Sequence, residues 1–491
     1  MNKDQHPILV KEEVAGKIGK NTSLLALSDI FGKFFFFLYF ALAARSLGVE
    51  RFGSISFATG LVNFCLIFID LGACFFIVRE VARDFKQIKE NVREFFGLRI
   101  LLAFLTIIMI AILIRLFNRP SEDVKIIIIV SSTLLFNANL LLLNSLFQAL
   151  EKMEYIALSR ILLGAMLAIG AFLCYKVFRA GTSFAFVYTL SFFLAFCFNY
   201  IILAKNYTRL TPVFNLKAFV QILRKILPFT LTTIFATSYY WFGIILLSLY
   251  QDNTAIGYYN APFRLALGLT FVPVAFAGAL YPLLSRYFKE GQIDEMKKIL
   301  FNSIRFIFFV GFLVAIFVTL FAQKIILILY GSNFQPSVPV FQIIIWWVFF
   351  IYLNTVLVHF LYSINSQIVV TKQAGIAVLI NLLANFFLIP LLSSKGVAVA
   401  LILGEAASFL YLFINLFRRG FIYKFRDYLF ILIKVLPFGI IIYLVFAFRL
   451  PFFAQISSLF IIYLLWAYFC RLITKGDYEM LRGMFKTKRC S

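Results

Sequence analysis

Apolar stretches of about 20 residues, the length that spans a bilayer as a helix, recur along almost the whole chain. They fall near 22–44, 54–78, 96–117, 125–149, 157–178 and 183–204. A second set follows near 226–250, 259–285, 301–323, 339–363, 372–393 and 397–417, and two more lie near 428–447 and 453–472. Polar breaks of a few to about twenty residues separate them, too short for a domain of their own. The pattern predicts an all-α integral membrane protein of about 14 transmembrane helices. Residues 1–21 form a polar N-terminal segment with spaced apolar positions, and 473–491 a basic tail. No cleavable leader is expected, because residues 1–20 are too polar and the first apolar segment is long enough to stay as an anchor.

The charges orient this pattern. With fourteen spans both termini lie on one side, and that side collects 34 of the 46 Lys and Arg. The opposite loops hold 10, and two, Lys33 and Arg264, fall inside predicted helices. Basic residues accumulate on the cytoplasmic side, so both termini are expected in the cytoplasm and the chain in the inner membrane of a prokaryote.

A weak internal repeat accompanies the pattern. Shifting residues 161–202 by 215 aligns Ile161 with Ile376, Leu167 with Leu382, Phe172 with Phe387 and Gly181 with Gly396. The glycine turns Arg179-Ala180-Gly181 and Ser394-Lys395-Gly396 coincide. Six helices per repeat is an even number, so both halves share one orientation. Two pseudo-symmetric six-helix lobes around a central cavity are expected, 22–225 (helices and linker) and 226–427, with 428–472 as an additional C-terminal pair.

Composition agrees: 63% of the 491 residues are hydrophobic and the mean hydropathy is +0.95, against about 45–50% apolar in soluble domains. The net charge of +24 sits in short loops and does not point to nucleic acid. Six cysteines without C-x-x-C spacing and two histidines, His6 and His359, indicate neither a metal centre nor a disulfide framework. Walker A, H-E-x-x-H, G-x-S-x-G and D-x-D patterns are absent. ATP hydrolysis is therefore not expected and glycosyl transfer is disfavoured; the chain reads as a transporter, not an enzyme.

The stretch Arg45 to Asp84 is more specific. It carries Leu47-Gly48, Glu50 and Phe52-Gly53 between the first two helices, then Asp70-Leu71-Gly72, Arg79-Glu80 and Ala82-Arg83 at the end of the second. This wording resembles the oligosaccharide-lipid flippases of the multidrug/oligosaccharidyl-lipid/polysaccharide (MOP) exporter superfamily. The resemblance implies translocation of polyprenyl-diphosphate-linked oligosaccharide units to the outer leaflet, by alternating access, for O-antigen, capsule or exopolysaccharide assembly. It also implies a glycan polymerase and chain-length machinery as partners beside the lipid bilayer, with the last two helices near the lipid tail. A drug or organic-cation antiporter of the same superfamily is the alternative, and a membrane-embedded glycan polymerase or ligase a third, although no sizeable outer loop is present.

Charges inside apolar helices are costly, so each needs a partner or a purpose. Arg264, in Gly257-Tyr258-Tyr259-Asn260-Ala261-Pro262-Phe263-Arg264, matches the family's "G.Y..A.R" pattern, whose arginine lines the cavity in lipid II flippases. That resemblance implies a diphosphate ligand, which a guanidinium pairs with bidentately; the alternative is a salt bridge to Asp70 or Glu405. Asp29 and Lys33 lie four apart on one face of the first helix. They either neutralise each other, or Lys33 meets the diphosphate with Asp29 tuning it. An acid stands at 29 where related flippases carry arginines nearby. Asp70 and Glu405 are candidates for Na+ or H+ coupling, or partners for Lys33 and Arg264. Asn381 and Asn385, one turn apart, offer amide oxygens to Na+, but bridging helices is the favoured reading. No other cofactor is expected. Pro273 and Pro282 are candidate hinges, with static kinks the default reading, and Tyr239-Tyr240-Trp241 is read as packing or interfacial aromatics in preference to sugar stacking.

Overall fold

The computed structural model describes residues 6–83, 85–116, 119–422 and a few positions near the C-terminus, 457–458, 461–463 and 465–466. Regular structure among the described residues is entirely helical, without strands. The helical form is the one that satisfies every backbone N–H and C=O within a segment where no water is available. Among the described residues, eleven helical stretches are long and apolar enough to cross a membrane. They cover the first twelve predicted spans, because the stretch Leu27–Asp70 contains two. The predicted pair at 428–447 and 453–472, apart from those few positions, and the tail 473–491 lie outside the described residues.

Helix α1 (His6–Cys65) is interrupted at Gly48, whose φ of 73° with ψ of −179° suits glycine. The chain folds back there: the rings of Phe40 and Phe52 lie 6.4 Å apart, whereas twelve residues of straight helix extend about 18 Å. A single turn, Ile67–Asp70, follows and ends in two left-handed residues, Leu71 (φ 47°) and Gly72 (φ 78°). Then come α2 (Ala73–Arg83), α3 (Phe85–Leu116), α4 (Ser121–Ser131), α5 (Thr133–Ala149), α6 (Met153–Leu173), α7 (Gly181–Asn206) and α8 (Leu216–Tyr250). The expected eighth span is two helices, α9 (Asn253–Leu269) and α10 (Phe271–Lys289). Helices α11 (Ile293–Tyr330), α12 (Ser337–Ser363), α13 (Gln367–Leu392) and α14 (Ser394–Arg418) complete the described chain.

Two compact units are present. The first comprises residues up to Gly268 together with Lys324–Val340 and Leu382–Val397. Its apolar core gathers Phe95, Phe96, Leu143, Phe147, Phe219 and Ile226 from α3, α5 and α8. The second comprises Leu269–Gln323, Phe341–Asn381 and the described residues from Ala398 onward. Within it Tyr463 stacks on Phe309 at 4.4 Å and its hydroxyl donates to the Phe309 carbonyl at 2.7 Å.

The break between α9 and α10 has a local cause. Pro273 has no N–H to give the carbonyl of Leu269, four residues earlier. The Tyr352 hydroxyl donates to that carbonyl instead, at 3.0 Å. The interruption falls at Thr270, between Pro262 and Pro273.

Candidate functional site

The site is built around Arg264 on α9, wholly within the first unit. Its Nε donates to Asn260 Oδ1, one turn earlier, at 3.0 Å, and one Nη to Thr59 Oγ1 at 3.2 Å. The guanidinium carbon stands 3.9 Å from the ring centroid of Phe40 and 5.3 Å from that of Trp241. These contacts come from both limbs of α1 and from α8, so the fold-back at Gly48 is a precondition of the site. Tyr39, Tyr188, Tyr259 and Tyr330 contribute further aromatic groups around the charge. Two of them are fixed by donating their hydroxyls to backbone carbonyls, Tyr39 to Phe184 at 2.8 Å and Tyr330 to Ala261 at 2.9 Å.

No carboxylate forms an ion pair with Arg264 among the described residues. Its charge is balanced by ring faces, one amide oxygen and one hydroxyl, and the side chain is only partly buried. Two of the five guanidinium N–H donors are engaged, which leaves three for a ligand. Trp241, placed by its sequence among packing aromatics, stands beside the cation.

Lys33 and Asp29 occur together as predicted, with Nζ 2.9 Å from Oδ2. A third member, Arg160 on α6, approaches the other carboxylate oxygen at 3.9 Å. Arg160 reaches this place because Gly164, one turn on, lets α1 close in: a Cβ there would stand 2.9 Å from Phe35 Cβ. Two cations face one acid, all three more than 40% exposed, so the cluster keeps a surplus positive charge open to solvent or ligand. Lys33 precedes Phe40 by seven residues, two turns on one face of α1, about 10 Å along the axis.

Asp70 has a different partner from those its sequence suggested. Its Oδ1 forms an ion pair with Arg99 of α3, which is 1% exposed. Cys74 Sγ donates to the same oxygen at 2.9 Å, and Arg99 also donates to the Ala138 carbonyl. Arg99 ends a run of basic residues at the edge of the predicted span 96–117, where the charge count groups it with the preceding loop; the structure buries it. In the second unit, Glu405 is buried and accepts from Asn354 Nδ2, through Oε1 at 3.0 Å and its backbone carbonyl at 2.9 Å. Asn381 and Asn385 are both buried on α13, and the Oδ1 of Asn385 lies near Gly243 of α8. Among the described residues no group of three His, Cys, Asp or Glu is disposed to hold a metal ion.

The fold is that of MOP-superfamily membrane proteins. The structure of the lipid II flippase MurJ in an inward closed conformation superposes with a TM-score of 0.74 at 16% identity, over 91% of this chain and 99% of that one. An inward-facing multidrug resistance MATE family transporter of the MOP superfamily gives 0.61 at 14% identity, over 78% and 94%. A protein of Shigella dysenteriae that carries the assignment O-antigen transporter is 24% identical over 292 residues, 59% of this chain and 72% of that protein. The family model described as polysaccharide biosynthesis protein matches residues 18–288, more than half of the chain, and a MatE model matches 228–387. The chain belongs to the polysaccharide biosynthesis protein family, and is a multi-pass membrane transporter of the MOP superfamily.

Proposed function

We propose that the protein is a flippase for polyprenyl-diphosphate-linked oligosaccharide repeat units. It moves them from the cytoplasmic to the outer leaflet for O-antigen, capsule or exopolysaccharide assembly. The observation that carries this reading is the setting of Arg264: a half-buried side chain that, among the described residues, has no carboxylate partner, is banked by rings and holds spare donors. Such a group suits a diphosphate oxyanion, and Trp241 beside it suits the face of a sugar. The Lys33–Arg160 pair with Asp29, about 10 Å away along α1, supplies a second cationic station for an anionic head in transit.

Alternating access between two orientations of the lobes is the mechanism in keeping with the superfamily. The positive-inside asymmetry supports both termini in the cytoplasm and residence in the inner membrane. Asp70 and Glu405 remain candidates for Na+ or H+ coupling, Asp70 with the condition that Arg99 must first release it. Asn381 and Asn385 stay candidates to offer amide oxygens to a cation, with the bridging of helices the favoured role. A glycan polymerase and chain-length machinery are the partners this function calls for.

The test is a strain lacking the protein. Complete lipid-linked units should accumulate in the cytoplasmic leaflet while surface glycan is lost, and Arg264→Ala should fail to restore export although the protein reaches the membrane. Normal export by that variant would remove the diphosphate reading. The MatE match over 228–387 favours a second reading, an organic-cation antiporter. That reading requires unchanged glycans in the deletion strain and altered sensitivity to cationic drugs.

A further inference from the structure

A second buried polar cluster lies in the first unit. Asp123, at the start of α4, is 7% exposed. Its two oxygens accept from two other parts of the chain: Ser54 Oγ at 2.6 Å and Asn253 Nδ2 at 2.6 Å. Asn253 Nδ2 also reaches Ser54 Oγ at 3.1 Å. Arg119 orients the amide, with one Nη 3.4 Å from Asn253 Oδ1 and the other donating to the Ser248 carbonyl at 2.6 Å. Three turns are thereby joined: α1 after its fold, α3 to α4, and α8 to α9. All three lie opposite the termini in the charge-derived orientation, hence on the outer side.

The glycines of the two family-like stretches sit at the same junction. A Cβ on Gly53 would overlap the Asn253 carbonyl, and one on Gly257 would overlap that of Val49. Phe52 meets Phe334 edge-on at 5.6 Å. The start of α9, the end of α11 and the turn that follows α11 are thus bound to the first two spans.

We propose that Ser54, Asp123 and Asn253 form a polar latch that holds the outer end of the transport path shut, with Arg119 as its positioning residue. This rests on the transporter reading and on the orientation given by charge. The chemistry distinguishes a latch from a permanent clasp. Asp123 has no cation within ion-pair distance among the described residues, and its direct partners are a hydroxyl and an amide. Water can replace both when the turns part, and no buried counter-charge is stranded. The Asp70–Arg99 pair in the same unit offers no such exchange, because parting it would strand the buried Arg99 charge.

The test uses the full-length protein in lipid nanodiscs, without substrate, followed by hydrogen exchange and mass spectrometry. Asn253→Asp sets a second carboxylate against Asp123 and should speed exchange about tenfold or more in peptides covering 46–56 and 250–258, with peptides of 156–172 unchanged. The exchange of roles in Asp123→Asn/Asn253→Asp should restore protection, because the amide then donates to the carboxylate. Unchanged exchange in the single variant overturns the latch. So does acceleration throughout the chain, or failure of the double variant to restore protection. Because no substrate enters this measurement, its failure is separable from failure of the flippase reading, which glycan export tests in cells.

Discussion

Arg99 and Arg264 occupy the same unit, both inside apolar helices, and are held in opposite ways. Arg99 is 1% exposed and closed on Asp70, Cys74 and a backbone carbonyl. Arg264 leans on two ring faces and two neutral oxygens and remains partly open. A buried guanidinium already paired with a carboxylate is closed to a ligand, and removing either partner strands a charge. One balanced by aromatic rings is stable enough to fold and still short of an oxyanion. The contrast separates a charge that holds the protein together from one available for work.

The largest effect that would sharpen this contrast is on folding. Arg99→Ala or Asp70→Ala should cost about 3–5 kcal/mol, the usual penalty for breaking a buried pair from one side, seen as loss of membrane-inserted protein and a lower Tm. Arg99→Met with Asp70→Leu should recover most of it, because an apolar pair strands nothing. Next in size is a functional loss without a folding loss. Arg264→Ala should reduce export at least about tenfold with Tm changed little, and Arg264→Lys should rescue only in part, since an ammonium lacks the planar fork. If Arg264→Ala destabilises as much as Arg99→Ala, the contrast fails.

Smaller effects test the surroundings. Trp241→Leu and Phe40→Leu should each weaken the hold on the guanidinium by about 0.5–2 kcal/mol, read as reduced export with retained protein. The smallest concerns the exposed cluster. Lys33→Gln should lower export more than Asp29→Asn, which leaves both cations in place, and neither should shift stability by more than about 1 kcal/mol given their exposure. Equal losses from both would indicate that the pair matters as a pair and not as a source of positive charge.

Much of this architecture was legible in the sequence because a bilayer imposes its period on any chain that crosses it. The first twelve apolar segments, the turn at Gly48 and the isolation of Arg264 in an apolar helix all carried that signal. The partners of the charges did not. Arg99 follows five other basic residues from Arg79 onward and looks like the end of a loop; only the packing of α3 against α2 and α5 reveals it as interior. Asp123 sits in Ser121-Glu122-Asp123, the ordinary acidic first turn of a helix, so nothing local separates it from its exposed neighbour Glu122. Arg160 meets Asp29 because Gly164 is small, a relation between residues 131 positions apart. Trp241 was grouped with packing aromatics because composition is silent on which face of α8 meets the cation.

The carbonyl of Leu269, deprived of a donor by Pro273 and satisfied by Tyr352, has a mechanical consequence. An unbroken helix resists bending with every bond of its ladder, whereas here a phenolic side chain spans the missing rung. A hydroxyl on a rotatable ring can follow the carbonyl through several degrees of tilt while its bond survives, so the joint is compliant without being loose. Deleting that hydroxyl by Tyr352→Phe should leave the shape at rest unchanged and widen the spread of angles sampled there, which spin labels on either side of Thr270 would record as a broader distance distribution about the same mean.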